Sequence, residues 1–177
     1  MEQLDRLIQA MVDYYRGDAK QIQHFTKVHT YARWIARWEG VEPRVRKILD
    51  AVTLTHDIGI KAARDKHGHS TWKLQEEEGP PAARAMLAEL GFDQALTDRV
   101  CWLIGHHHTY TDIQGMDYRI LVEADFLVNF QEGNQPLSAI PRVYREIFRT
   151  NSGRALLEGL YGYDPACPGS FPPLSEP

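Results

Sequence analysis

Eight histidines and the aspartates near them are the residues of this 177-residue chain best suited to chemistry. They are unevenly spread: His24 and His29, His56 followed directly by Asp57, His67 and His69, and the consecutive His106, His107 and His108. Imidazole and carboxylate are the ligands of divalent transition metals, and a catalytic ion needs three or four of them converging from different elements. Adjacent side chains on a helix diverge by about 100°, so His56 and Asp57 reach one ion only where helical geometry relaxes. Gly59 offers that relaxation. Asp125 stands in the apolar stretch LVEADFLVNF. An unpaired carboxylate buried there would cost several kcal/mol, so a metal or another cation is its expected partner.

The elements that must position these residues read as helices. Leu4, Leu7, Ile8, Met11, Val12 and Tyr15 recur at helical spacing up to Gly17, and Asp18 is placed to cap the next helix. That second helix carries His24 among Ile22, Phe25, Val28, Ala32, Ile35 and Ala36, and stops at Gly40 and Pro43. A third, from about Val45, brings Ile48, Leu49, Val52 and Leu54 toward His56. Residues 61–81 are rich in charge, Gly, Pro and His, which predicts a loop with one helical turn around 75–78. Helices are expected at 82–90, at 96–104 running into the triple histidine, at 118–130 with Asp125 inside, and at 140–148 and 155–160. No strand-like alternation and no repeat occurs. The expected fold is therefore all-α, an irregular single-domain helical bundle over 1–163 with its site core at 18–130. A mobile Pro-rich tail at 164–177 is expected beyond it.

Composition limits the partners. Hydrophobic residues make up 43% and charged residues 25% of the chain, as in an ordinary globular domain. The formal charge is −4, so the basic footprint of a duplex-binding protein is missing, and a small anionic substrate fits better. Cys101 and Cys167 form neither a CxxC nor a disulfide framework, the first residues lack a signal-peptide core, and no stretch reaches membrane-spanning length. The expected location is cytoplasmic, with no membrane partner. Trp34, Trp38, Trp72 and Trp102 read as core or pocket walls, Glu123 as a solvated helix face, and the run Glu76, Glu77, Glu78 as a charged helix start.

Taken together, H24xxxV28, H56-D57-I58-G59, the histidines after I104-G105, and E123-A124-D125 resemble the HD superfamily of metal-dependent phosphohydrolases. The similarity runs over roughly residues 18–130 and is greatest to small stand-alone members with HDIGIK, QEEEGP, GHHHTY and EADFLVN segments. It implies a divalent transition metal (Mn, Fe, Zn, Ni or Co) held by His24, His56, Asp57 and Asp125. In two-metal members the Asp matching Asp57 bridges both ions, and the second is completed by a histidine pair, here His106 and His107. A further histidine of that set is replaced in this chain by Glu76, so the resemblance leaves the number of ions open. It implies hydrolysis of a phosphomonoester or phosphodiester of a nucleotide or other small phosphorylated metabolite. Asp57 would orient metal-activated water, and a spare imidazole of His106, His107 or His108 would serve as proton donor. Lys61, Arg64, Lys66 and Lys73 are candidates to hold phosphate oxygens, with His108 and Asn129 as further substrate contacts. Two other functions share the ligand layout: a di-iron oxygenase, and a nucleotide-binding sensor without turnover. A homodimer is compatible with all three.

Overall fold

The computed structural model describes residues 2–168, and it is all-helical with no strand among them. Helix α1 spans Gln3–Tyr14, α2 Ala19–Trp38, α3 Pro43–Thr55, α4 Gly59–His67, α5 Trp72–Glu89, α6 Gln94–Ile104 and α7 Met116–Gln131. A 3₁₀ turn at Leu137–Ala139 leads into α8, Ile140–Glu146, and α9 is Asn151–Tyr161. Several helix starts are set by local chemistry. Asp18 accepts from Gln21 N at 3.0 Å, Thr71 from Leu74 N at 3.2 Å and Asp93 from Leu96 N at 2.9 Å, each satisfying a first-turn amide. Pro43, expected to end α2, instead opens α3, where its missing N–H costs nothing.

Helix α7 runs through the middle. From Asp117 to Val128 only Arg119 is not buried, because α2, α3 and α9 pack around it. Its neighbours supply one contiguous core, including Phe25, Ile35, Leu49, Leu103, Ile104 and Phe148. Glu123 is completely buried there, contrary to the solvated face expected of it. Its carboxylate accepts from Arg149 N at 2.7 Å, from Thr150 N at 3.0 Å and from the Thr150 hydroxyl, tying the start of α9 to α7. Burial raises its pKa, and those three donors pull the other way.

The loop expected at 61–81 is instead two helices, α4 and the first half of α5, packed closely on each other. Small residues allow the approach. A methyl on Gly59 would collide with the Gln75 carbonyl and lie 2.9 Å from its Cα, and one on Gly79 would lie 2.6 Å from Ile104 Cγ2. Pro80 and Pro81 lie inside α5 without ending it. The Pro80 carbonyl is engaged by Cys101 Sγ at 3.3 Å. All four tryptophans are exposed, at 45% for Trp34, 58% for Trp38, 62% for Trp72 and 41% for Trp102, so none belongs to the core; of the core or pocket walls expected of them, Trp34 lines a cavity between α2 and α3. Of the expected tail, 164–168 form an exposed turn in which Asp164 accepts from Ala166 N and Cys167 N; 169–177 lie outside the described residues.

Candidate metal centre

Four helices deliver the site. His24 comes from the middle of α2, His56 and Asp57 from the end of α3, Asp125 from α7, and His107 and His108 from the turn after α6. The end of α3 is loosened by its own hydroxyls: Thr53 Oγ1 donates to Leu49 O at 2.6 Å and Thr55 Oγ1 to Ala51 O at 2.8 Å. The chain then closes a tight turn, Ile58 N to Thr55 O at 2.9 Å, before α4 begins at Gly59. That break lets consecutive side chains meet at one point.

His24 Nε2 lies 3.2 Å from His56 Nε2, 3.4 Å from Asp57 Oδ2 and 3.2 Å from Asp125 Oδ1. His56 Nε2 lies 3.7 Å from Asp57 Oδ2 and 3.5 Å from Asp125 Oδ1. Ligands about 2.1 Å from one ion stand about 3.0–3.4 Å from each other, so this spacing is close to that of a coordination shell. Asp57 Oδ1 faces the other way, 3.5 Å from His107 Nε2, and a second group of possible ligands is Asp57, His107 and His108.

Tautomers support the same conclusion. His56 Nδ1 donates to Thr53 O at 3.0 Å and His107 Nδ1 to Ile104 O at 2.7 Å. His24 Nδ1 donates to Glu132 Oε2 at 2.9 Å, and Lys27 Nζ holds the other oxygen of Glu132 at 2.7 Å. Each ring therefore turns Nε2 inward, the arrangement metal-bound imidazoles use. Without a proton or cation between them, the inward lone pairs of His24 and His56 would repel. His107 Nε2 is buried and has no hydrogen-bond partner among the described residues. An orphaned buried nitrogen is costly unless an ion completes it.

The electrostatics also call for positive charge. Burial opposes the His24 imidazolium, but Asp125 and Asp57 outweigh it and push its pKa up to about 10. Burial likewise opposes ionisation of Asp57 and Asp125, yet the surrounding imidazoles hold both well below the usual carboxylate range. His107 is raised, its burial outweighed by Asp57. His108 is pushed down to about 4 by burial and by His107. Its Nε2 lies 2.9 Å from Gln75 Oε1, so Gln75 takes the ring hydrogen and leaves Nδ1 as an acceptor.

A polar cavity of about 290 Å³ opens over the cluster. Arg64, His108 and Asn129 line it, as does Lys20, which the sequence did not single out. Three further residues were missed. Gln21 donates to Asp57 Oδ2 at 2.8 Å, Gln75 holds His108, and Glu132 holds His24. Two of these had a faint signal: Gln21 precedes His24 by three residues, and Glu132 follows Asp125 by seven, both on the same helical face.

Several expected residues are not gathered in. His106 turns outward, stacked on Trp102 at 4.2 Å with Nδ1 donating to Trp102 O, because its bond vector diverges from that of His107 at the helix end. Glu76 accepts from His108 N at 3.1 Å, bracing the histidine turn rather than joining either ligand group. Lys61 pairs with Asp65 at 2.6 Å, Lys66 with Glu78 at 2.7 Å and Lys73 with Glu77 at 3.9 Å, and none of these lysines lines the cavity. Arg64 alone of the four expected phosphate-holding cations does.

No family model and no curated protein matches the chain. Among solved structures, it is similar to the crystal structure of a predicted HD superfamily hydrolase from an uncultured Thermotogales bacterium. The two share 25% sequence identity over 89% of this chain and 82% of that one, with a TM-score of 0.59.

Proposed function

Because the chain belongs by fold to the HD superfamily, we propose that it is a metal-dependent phosphohydrolase acting on a nucleotide or another small phosphorylated metabolite. One observation carries the metal half of this reading: inward-facing Nε2 atoms and carboxylate oxygens lie at coordination spacing, and the His107 Nε2 among them has no hydrogen-bond partner among the described residues. His24, His56, Asp57 and Asp125 would hold the first ion. The second would rest on Asp57, His107 and His108, in place of the set with Glu76 and His106. A bound divalent ion supplies hydroxide at neutral pH and offsets charge growing on phosphoryl oxygens.

The protein's own groups do the rest. Asp57 presents one oxygen to each ligand group, and Gln21 fixes its orientation. Arg64 makes no ion pair with a described residue and lines the cavity, so its guanidinium is available to phosphate oxygens. Lys20 lines the same cavity and is placed to add a second positive charge. Asn129, held by Asn134 Nδ2 at 2.9 Å, presents an amide toward the substrate space. Among the described residues no aromatic side chain other than histidine lines this cavity, and its volume of about 290 Å³ suits a compact phosphorylated group rather than a long polymer.

The test is phosphate release from a panel of nucleotides and sugar phosphates by metal-loaded protein, with Asp57→Ala in parallel. Metal-dependent release that falls at least about a hundredfold in the variant is expected. Undiminished release by the variant would defeat the mechanism. Oxygen consumption with a mixed-valence iron signal would instead assign the oxidative chemistry that shares this ligand layout.

A further inference from the structure

A second cavity, of about 600 Å³, lies between α2 and α3 and shares no lining residue with the one over the metal cluster. Small-molecule sites commonly measure about 300–1,000 Å³. Among the described residues, Arg33, Arg37, Arg46 and Lys47 line it, against one carboxylate, Asp50. Asp50 is already engaged: its Oδ1 accepts from His29 Nε2 at 3.0 Å and lies 3.6 Å from Arg33 Nε. The side chains of Arg37, Arg46 and Lys47 form no ion pair or hydrogen bond with a described residue. Three unneutralised cations thus gather in one groove of a chain whose formal charge is −4.

An aromatic wall stands beside them. Trp34 lines the same groove and is held on its helix by Tyr31, 5.6 Å away and edge-on, and by Trp38 at 6.1 Å. A fixed indole next to guanidinium groups can stack a flat ring while the cations take phosphate oxygens, preferably in bidentate fashion from arginine.

We propose that the α2–α3 groove is a second ligand site, distinct from the metal centre, that binds a nucleoside polyphosphate. Arg37, Arg46 and Lys47 hold the phosphates and Trp34 stacks on the base. A compact polyanion fits better than an extended one, because carboxylates outnumber basic residues 24 to 20 over the chain and would repel a polymer or a membrane beyond the groove.

The probes are ATP and inorganic triphosphate, titrated calorimetrically into EDTA-treated protein so that the metal cluster cannot retain phosphate. Saturable binding of ATP is expected. Arg37→Gln combined with Arg46→Gln should weaken it at least about tenfold, while Arg64→Gln, in the other cavity, should change it less than about twofold. Trp34→Ala should weaken ATP more than triphosphate. Should the double variant melt early, Lys47→Gln carries the same expectation with a loss of a few fold. Absence of saturable binding would overturn the proposal, as would affinity retained in both the double variant and Lys47→Gln, or lost in Arg64→Gln. So would equal effects of Trp34→Ala on the two probes, or binding of duplex RNA or anionic phosphatidylserine vesicles without ATP.

Discussion

At the residue scale, the ligands are only as good as the groups that aim them. Glu132 fixes the His24 tautomer and is itself neutralised by Lys27. Glu132→Gln should therefore lower metal affinity by about 10–100-fold while leaving the helix intact, measured by competition with a fluorescent chelator. Protons compete for the same site. In the metal-free protein the His24 pKa is raised from 6.5 to about 10, so its contribution to stability is complete below the lower value and is lost as pH rises through the higher one. An ion must displace that proton. Metal affinity should thus climb steadily from about pH 6 to about pH 9 in the same competition measurement, and a flat profile would contradict the protonation scheme.

The candidate ligands could be singled out in the sequence because His24, the His56-Asp57 pair and Asp125 follow the order that the resemblance to the HD superfamily implies. Asp125 added a physical signal of its own, a carboxylate in an apolar stretch. Direction was not legible. Whether His106 or His107 faces inward depends on the phase in which α6 unwinds, and one residue there amounts to about 100° of rotation. Glu132, Gln21 and Gln75 are ordinary polar residues in the sequence, and only the packing of α2, α5 and α7 gives them partners.

At the element scale, α2 could be read because its Asp18 cap and its apolar periodicity agree, and α6 and α7 from apolar periodicity alone, whereas α4 and the start of α5 could not. Between residues 59 and 81 the local signals are Gly, Pro, His and charge, which favour a loop. What makes helices there is a long-range fit, the backbone of α4 lying against that of α5 at Gly59 and Gly79. The consequence is testable. Gly59→Ala would force a methyl into the Gln75 backbone, with no flexible side chain to give way, and should destabilise the protein by about 1–3 kcal/mol or more. Chemical denaturation measures it, and because Gln75 holds His108, metal affinity should fall alongside stability.

At the scale of the whole molecule, one buried helix, α7, links the metal cluster to the core and to α9. Ion binding should therefore report on global stability. A ligand that binds only the folded state at about 100 times its dissociation constant adds about 2.7 kcal/mol, which for a domain of this size raises the melting temperature by roughly 5–10 °C. Manganese should produce such a shift in scanning calorimetry, EDTA should reverse it, and Asp125→Asn should nearly abolish it. The overall class was predictable at this scale, since the chain shows helical periodicity and no strand alternation. The exposed positions of the tryptophans were not. Trp34 and Trp38 are exposed on α2, with Trp34 lining the basic groove, where residue type alone leaves core and pocket wall as alternatives.

The most direct measurement of the central claim is an anomalous difference map from crystals soaked in manganese. A peak is predicted between His24 Nε2, His56 Nε2, Asp57 and Asp125, with any second peak beside Asp57, His107 and His108. No peak at the first position, or density confined to Glu76 and His106, would contradict it.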